Sequence, residues 1–332
     1  MSRDLFQYHP VFGFHFIPKL RARVSHEGGG YLVRTNEAGF RSEHEFVAAK
    51  PPGVFRILLF GDSYTAGDGV SNAARYGDVL ETLLPGVEVF NFGVPGTGTD
   101  QHYLIYREVA RGIEHDLVVI GVLVENIRRI VARYRLIKSA TGETLALPKP
   151  YFTINGDGAI ALHNSPVPRD PVPPDALPET EQQHVDRGGD FYLFRRMIGA
   201  LGPRAKSVVQ SVVGQNPVPG YDSATSPDWL LMKAILTQWP SEATRPVVVM
   251  PIPLYHFVEE LSSPLRYRAR FAELADVPGV TVHDPLNDFL TVPKSDRRRF
   301  RFEHDVHPTP AAHRLLAESL AKAVSPFLAS TV

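Results

Sequence analysis

The sequence predicts an α/β fold built on a parallel sheet, and three apolar segments carry that prediction. Residues 54–60, 87–93 and 116–123 are short, nearly continuous apolar runs, which are typical of strands buried on both faces. Segments 75–84 and 99–111 lie between them and have helical spacing. Alternating strands and helices predict βαβ units, and therefore parallel strands joined by right-handed crossovers.

The middle of the chain interrupts this alternation and is predicted to be an insertion at about 140–240. The elements predicted there are a hairpin over 151–163 that turns at 155–158, an extended proline-rich loop over 166–178, and helices over 191–213 and 229–239. From its position in the chain, we expect the insertion to form a lid or wall over the crevice of the α/β core.

The α/β pattern returns after the insertion. A strand is predicted over 246–251, a helix over 266–275, a short strand over 280–282 and a final helix from about Pro310. Residues 1–50 are aromatic and rich in glycine, and we expect them to be an irregular or short-stranded lead-in packed on the core. We therefore predict one domain over 51–332, preceded by this lead-in.

The composition excludes several functional classes. The 332 residues carry a formal net charge of −1, so no overall field draws the protein to nucleic acid or anionic lipid. The absence of cysteine excludes disulfides, thiolate metal sites and a cysteine nucleophile. The first residues lack the apolar core of a signal peptide, and no segment approaches the roughly 18 apolar residues of a membrane helix. A cytoplasmic protein with no nucleic-acid or membrane partner is expected.

Ser63 is the first candidate functional residue, because it directly follows the first predicted strand in Gly61-Asp62-Ser63. Ligands of an open parallel sheet bind outside the carboxyl ends of its strands, so a serine on a tight turn there faces the crevice. The start of the next helix offers backbone N–H groups to a developing oxyanion. The alternative is an ordinary strand-to-helix turn with capping residues.

Two further loops are predicted to reach the same crevice. Gly93, Gly96 and Gly98 follow the second strand and permit close backbone approach; the N–H of Gly96 is the expected oxyanion donor. Asn126 follows the third strand, and its side-chain amide can donate to the same oxyanion. Each loop is also compatible with an ordinary turn. The glycine-rich loop lacks the Lys-Ser/Thr ending of a phosphate-binding loop.

The predicted base lies in the segment 303–310, just before the last helix. A neutral histidine accepts the serine proton while a carboxylate fixes its tautomer, and His307 with Asp305 fits these roles. A polar surface loop is one alternative. A metal site formed by His304, Asp305, His307 and His313 is another, although their spacing has no recognised zinc pattern. We predict neither a metal nor a cofactor.

Taken in this order along the chain, the four motifs resemble the SGNH (GDSL-type) hydrolase superfamily. The resemblance covers about 35–131 and 246–328, and the segment 34–41 resembles one found before the catalytic serine in bacterial members. It implies a flavodoxin-like three-layer α/β/α sandwich. It also implies a catalytic set of Ser63 as nucleophile, His307 as base and Asp305 as its support, with an oxyanion hole formed by Ser63, Gly96 and Asn126.

Two motifs depart from the family pattern. Asn126 lies in Val-Glu-Asn-Ile, where the family commonly has Gly-x-Asn-Asp. Asp305 stands two positions before His307, where the usual spacing is three. The usual position is occupied here by His304, and a histidine cannot act as the carboxylate.

These residues predict hydrolysis of a carboxylic ester through an acyl-enzyme, with an O-acetyl group on a carbohydrate or small metabolite as a fitting substrate. Transfer of the same acyl group to a sugar hydroxyl is an alternative, and so is a non-catalytic carbohydrate-binding protein on the same fold. A basic run near the predicted site is either a solvated face or a surface that recognises an anionic substrate. Its members are Arg128, Arg129, Arg133, Arg135 and Lys138. Oligomeric state and acyl length are not predicted.

Overall fold

The computed structural model describes residues 5–139, 141–186 and 217–329. Its strands are β1 (Phe6–His9), β2 (Gly13–Phe16), β3 (Arg21–Val24), β4 (Tyr31–Arg34), β5 (Phe55–Gly61), β6 (Val87–Asn91), β7 (Leu117–Leu123), β8 (Tyr134–Lys138), β9 (Thr144–Pro148), β10 (Tyr151–Ile154), β11 (Ile160–His163), β12 (Val185–Asp186), β13 (Val247–Ile252) and β14 (Val280–Val282). Its helices are α1 (Ser63–Ala66), α2 (Tyr76–Leu83), α3 (Thr99–Ile105), α4 (Asn126–Ile130), α5 (Glu179–Gln182), α6 (Pro227–Ala243), α7 (Tyr255–Val258), α8 (Leu265–Ala272), α9 (Leu286–Thr291) and α10 (Pro310–Ala329).

The central sheet is parallel and, within the described ranges, has five strands in the spatial order β6-β5-β7-β13-β14. Numbered along the chain, this order is 2-1-3-4-5, the doubly wound arrangement of flavodoxin-like folds. Every residue of β5, β7 and β13 is buried, because side chains of these strands are covered on both faces. The predicted α/β fold with a parallel sheet is confirmed.

Helices cover both faces of this sheet because the winding direction reverses. The crossover from β5 to β6 through α2 runs one way along the sheet, and the crossover from β6 to β7 through α3 runs the other way. Right-handed crossovers therefore place α2 and α3 on opposite faces. Helix α10 packs on α2, and α6 packs on α3 and α4. The result is the three-layer α/β/α sandwich that the family resemblance implies.

The second predicted helix, over 99–111, differs from the prediction in its second half. The α-helix ends at Ile105, and the chain continues to Ala110 in a wider π-type turn, in which the N–H of Arg111 donates to the carbonyl of Tyr106 at 2.8 Å.

Among the helices described, none combines the length and the apolar character that crossing a bilayer requires.

The insertion is made of small antiparallel units and one long helix. Strands β10 and β11 form the predicted hairpin, which turns at Asn155. Strand β8 pairs with β9 and with the short β12, a sheet that the sequence does not predict and that begins at Tyr134, before the expected boundary. Helix α6 packs on the central sheet through Trp239, whose ring lies 5.0 Å from that of Phe60. The helix predicted over 191–213 lies outside the described residues.

The lead-in forms two hairpins, β1–β2 and β3–β4, and a buried arginine attaches it to the core. The guanidinium of Arg41 donates to the carbonyls of Gly67 and Val70, both at 2.8 Å, and to Oδ1 of Asn72 at 3.1 Å. Burial, with the nearby charge of Arg75, lowers the pKa of Arg41 to about 9. Arg41 thus fixes the chain that directly follows α1. The division into a lead-in over 1–50 and a domain over 51–332 stays a prediction.

We expect Arg41→Met to destabilise the protein by about 3 kcal/mol or more, since each buried carbonyl that loses its donor costs roughly 1–3 kcal/mol. The control is Arg34→Met, in the same segment, where the guanidinium forms an exposed ion pair with Glu43 at 2.8 Å and contributes less than about 1 kcal/mol. Urea unfolding followed by the fluorescence of the buried Trp229 and Trp239 measures both. Equal unfolding midpoints for the two variants would contradict this account of Arg41.

Candidate active site

Ser63 lies at the tight turn between β5 and α1, at the point where the strand order of the central sheet reverses. The backbone N–H of Tyr64 donates to Oδ1 of Asp62 at 3.0 Å, and Oδ2 of Asp62 accepts from Arg129 at 2.7 Å. A Cβ on Gly61 would lie 2.0 Å from Oγ1 of Thr65, so only glycine fits before this turn. Asp62 therefore fixes the backbone of the turn, and Arg129 is its ion-pair partner.

The structure brings Ser63, His307 and Asp305 into one hydrogen-bonded chain. Nε2 of His307 lies 2.9 Å from Oγ of Ser63, and Nδ1 lies 2.6 Å from Oδ1 of Asp305. The same carboxylate oxygen also accepts from the backbone N–H of His307 at 3.0 Å. This backbone hydrogen bond turns the carboxylate of Asp305 toward the ring of His307, so the short Asp-x-His spacing still allows the two side chains to bond. With the proton on Nδ1 bonded to Asp305, Nε2 faces the serine as an acceptor.

Hydrogen bonds on both sides of His307 hold its loop in position. The hydroxyl of Tyr64, the residue after Ser63, donates to the carbonyl of Val306 at 2.8 Å. Burial raises the pKa of Tyr64 well above its ordinary value, so this donor keeps its proton. Thr309 caps α10, where its carbonyl accepts from the N–H of His313 at 3.0 Å. The turn at Ser63 and the loop at His307 therefore hold each other in position.

Two residues of the lead-in, which the sequence did not predict to be near the site, contact Asp305 and the chain just before it. Nε2 of His26 lies 3.2 Å from Oδ2 of Asp305, the oxygen that His307 leaves free. The carboxylate of Glu27 accepts from the backbone N–H groups of Glu303 and His304 at 3.1 and 2.9 Å. The sequence marks these two residues only as a titratable pair, His26-Glu27, before three consecutive glycines. Neither their spacing nor any periodicity connects them with the distant loop.

Opposing influences act on the pKa of His307, and the net effect raises it. Burial lowers the pKa of the imidazole, but the hydrogen bond to Asp305 and the charges of Asp68 and Asp305 outweigh burial. For Asp305, burial raises the pKa of the carboxyl group, and its bond and attraction to His307 bring that pKa well below the ordinary range. Asp305 is therefore ionised at neutral pH, and it favours the protonated form of His307.

Two of the three predicted oxyanion donors, Gly96 and Asn126, lie at the edge of the sheet that carries Ser63. Asn126 follows β7, the strand that pairs with β5; its side chain is fully buried, and within the described ranges neither amide atom has a hydrogen-bond partner. A buried amide without partners costs free energy unless a ligand supplies them. Gly96 is half-buried and has a φ of +74°, in the left-handed region that favours glycine.

The four residues of the alternative metal site do not come together: Asp305 and His307 are bonded to each other, but His313 is not part of their group. His313 lies in the core, where its ring stacks on that of Tyr76 and its Nδ1 accepts from the Tyr76 N–H at 3.3 Å. Burial lowers the pKa of His313 to about 3. Across the part of the chain that the structure describes, no three histidine or carboxylate side chains are grouped so that they could hold a metal ion.

No family model matches the chain, and no curated protein matches it. It is similar to several solved structures. They include a member of the lipolytic protein G-D-S-L family from Veillonella parvula DSM 2008 (13% identity, 82% of this chain and 99% of that chain, TM-score 0.42), the lipase Lip_vut3 from a goat rumen metagenome (12%, 81% and 97%, 0.44) and LAE5, an alpha/beta hydrolase enzyme from the metagenome of Lake Arreo, Spain (12%, 85% and 98%, 0.43).

We expect Asp305→Asn to lower the pKa of His307, because the neutral amide removes both the charge-assisted hydrogen bond and the negative charge that raise it. The Cε1–H NMR resonance of His307, followed against pH, measures this change. Asp157→Asn, in the exposed turn between β10 and β11, is the matched control and is expected to leave that titration unchanged. A His307 pKa that is the same in both variants would rule out the electrostatic role assigned to Asp305.

Proposed function

We propose that this protein is a serine hydrolase that cleaves carboxylic esters through an acyl-enzyme on Ser63. The observation that carries the proposal is the chain from Ser63 Oγ through His307 to Asp305, with distances of 2.9 and 2.6 Å. A serine hydroxyl is a weak nucleophile until a base accepts its proton. Here the base lies within hydrogen-bond distance and its tautomer is fixed by a carboxylate. A purely structural turn requires neither arrangement.

In the first half of the proposed reaction, Oγ of Ser63 attacks the carbonyl carbon while Nε2 of His307 takes the hydroxyl proton. The carbonyl π electrons move onto its oxygen, and Asp305 stabilises the imidazolium that forms. When the tetrahedral intermediate collapses, the ester C–O bond breaks and the alcohol leaves with the proton from His307. Water then repeats the sequence on the acyl-serine, which releases the carboxylic acid and restores both side chains.

We propose that the amide of Asn126 and the backbone N–H groups of Gly96 and Ser63 stabilise the oxyanion of that intermediate. The unpartnered, fully buried amide of Asn126 supports this assignment. Fixed donors in a dry site stabilise developing charge with little reorganisation, so a rigid amide at a strand end suits the role. An O-acetylated small molecule or carbohydrate as substrate, and a cytoplasmic location, stay predictions from the sequence.

Ser63→Ala is expected to reduce hydrolysis of p-nitrophenyl acetate by about a thousand-fold or more, because loss of the nucleophile leaves only the binding and oxyanion contributions. His307→Ala is expected to have a comparable effect. Mass spectrometry of protein treated with a fluorophosphonate should locate the adduct on Ser63 in the parent protein. Ser223→Ala, in an exposed turn, should label and turn over normally. An adduct on another residue, or turnover that survives in Ser63→Ala, would refute the proposal.

The pH profile of kcat/KM is expected to fall on the acidic side with an apparent pKa above the ordinary histidine value of about 6.5. The reason is that only neutral His307 accepts the serine proton, while the surrounding carboxylates raise its pKa. Activity therefore increases as pH rises through that raised value. An acidic limb at or below the ordinary histidine value would contradict the assignment of His307 as the base.

A further inference from the structure

A cavity of about 180 Å³ adjoins Gly96, one of the proposed oxyanion donors. Its volume exceeds what a single water needs, and its lining is strongly polar. The lining residues are Gly96, Glu125, Arg128, Arg129, Arg135, Leu136 and Asp186. Three guanidinium groups therefore face two carboxylates in one cavity beside the proposed reaction centre.

Most of the basic run from Arg128 to Lys138 is engaged with acidic or polar groups. Arg129 is bonded to Asp62 at 2.7 Å, and Arg133 to Glu181 at 2.6 Å. Arg128 has Glu125 at 3.6 Å and also donates to the carbonyl of Pro217 at 2.8 Å. Of the two interpretations of this run, a uniformly solvated face is therefore wrong for Arg129, which is largely buried beside its partner.

Arg135 differs from its neighbours, because no carboxylate of the described residues lies within ion-pair distance of its guanidinium. Among the described residues, Nη1 of Arg135 donates to the carbonyl of Pro95, at 3.4 Å, and the guanidinium carbon lies 5.3 Å from the ring centre of Phe14. The group packs directly on Gly96, where an added Cβ would lie 2.1 Å from Nη1 of Arg135. The side chain is thus held in place by uncharged neighbours.

The position of Arg135 in the fold directs it toward the site. Arg135 lies on β8, the middle strand of the small sheet in the insertion, and is flanked there by Leu147 of β9 and Asp186 of β12. Burial, and after it the charge of Arg129, lowers the pKa of Arg135, and the charges of Asp186 and Asp68 act in the opposite direction. The guanidinium of Arg135 is therefore a desolvated cation that lines this end of the cavity.

We propose that Arg135 binds an anionic group of the ester substrate, a carboxylate or a phosphate, next to the reacting carbonyl. This inference rests on the hydrolase function proposed above and specifies its substrate class. A planar guanidinium offers two parallel donors to such groups. The contact with Gly96 places these donors beside the oxyanion position, so the anion and the ester bond must be close in the substrate.

Matched pairs of esters test the proposal. On the acyl side, the p-nitrophenyl ester of glutarate is compared with that of monomethyl glutarate. On the alcohol side, acetylated glucuronate and acetylated glucose 6-phosphate are compared with acetylated glucose. We expect the parent protein to prefer the anionic member of at least one pair. Arg135→Gln should lower kcat/KM for that ester roughly 10- to 100-fold, the range of a charge-assisted hydrogen bond, and change the neutral ester by less than about two-fold.

Two controls separate recognition from structural damage. Arg135→Lys, which keeps the charge but loses the paired donors, should retain an intermediate preference, whereas Arg111→Gln, at an exposed position, should change nothing. Equal use of charged and neutral esters by the parent protein would overturn the proposal. An Arg135→Gln variant whose activity falls to the same extent on the charged and the neutral ester of each pair would also overturn it.

A binding measurement separates failure of this inference from failure of the hydrolase function. The Nε–H resonance of Arg135, assigned by its absence in Arg135→Gln, is followed at low ionic strength while inorganic phosphate or glucuronate is added. A saturable shift with at least one anion is expected even if no ester is turned over. Absence of any shift with both anions would overturn the role of Arg135, whereas absence of Ser63 labelling would overturn the hydrolase function.

Discussion

The parallel alignment of β5, β6 and β7 is the constraint on which the rest of the site depends. Because the three strands run in one direction, the loops that follow them leave the sheet at one edge, and the reversal of strand order beside β5 keeps the space above that edge open. Ser63, Gly96 and Asn126 share this edge although they are far apart in the chain. Burial of β5 and β7 on both faces gives the three loops rigid points of attachment.

The remaining contacts come from segments outside the central sheet. The lead-in contributes His26 and Glu27 beside the loop of His307 and Arg41 beside the turn of Ser63. The small sheet of the insertion contributes Arg135. The α/β core thus carries Ser63, Gly96 and Asn126, while the added segments contact the loop of His307 and line the cavity beside Gly96. Such a division lets substrate preference change without altering the sandwich.

Strong local patterns made the core predictable. Continuous apolar runs located β5, β7 and β13, and the order of serine, glycine, asparagine and histidine motifs pointed to Ser63 and His307. Strand β8 escaped prediction because its residues are partly buried on both sides, which leaves no alternation to detect. The buried ion pair of Arg129 with Asp62 was missed because consecutive arginines are usually solvated. His26 was missed because tertiary packing alone brings it to Asp305.

The contact between Ser63 and His307 joins positions 244 residues apart, and that between His26 and Asp305 joins positions 279 apart. During synthesis, nearly the whole of this sequence must leave the ribosome before the imidazole can approach the hydroxyl. Closing so long a loop costs more chain entropy than any local pairing, so this contact belongs to the late stages of folding. A nascent chain that has not yet released His307 therefore carries Ser63 as an ordinary alcohol, without the hydrogen bond to the imidazole.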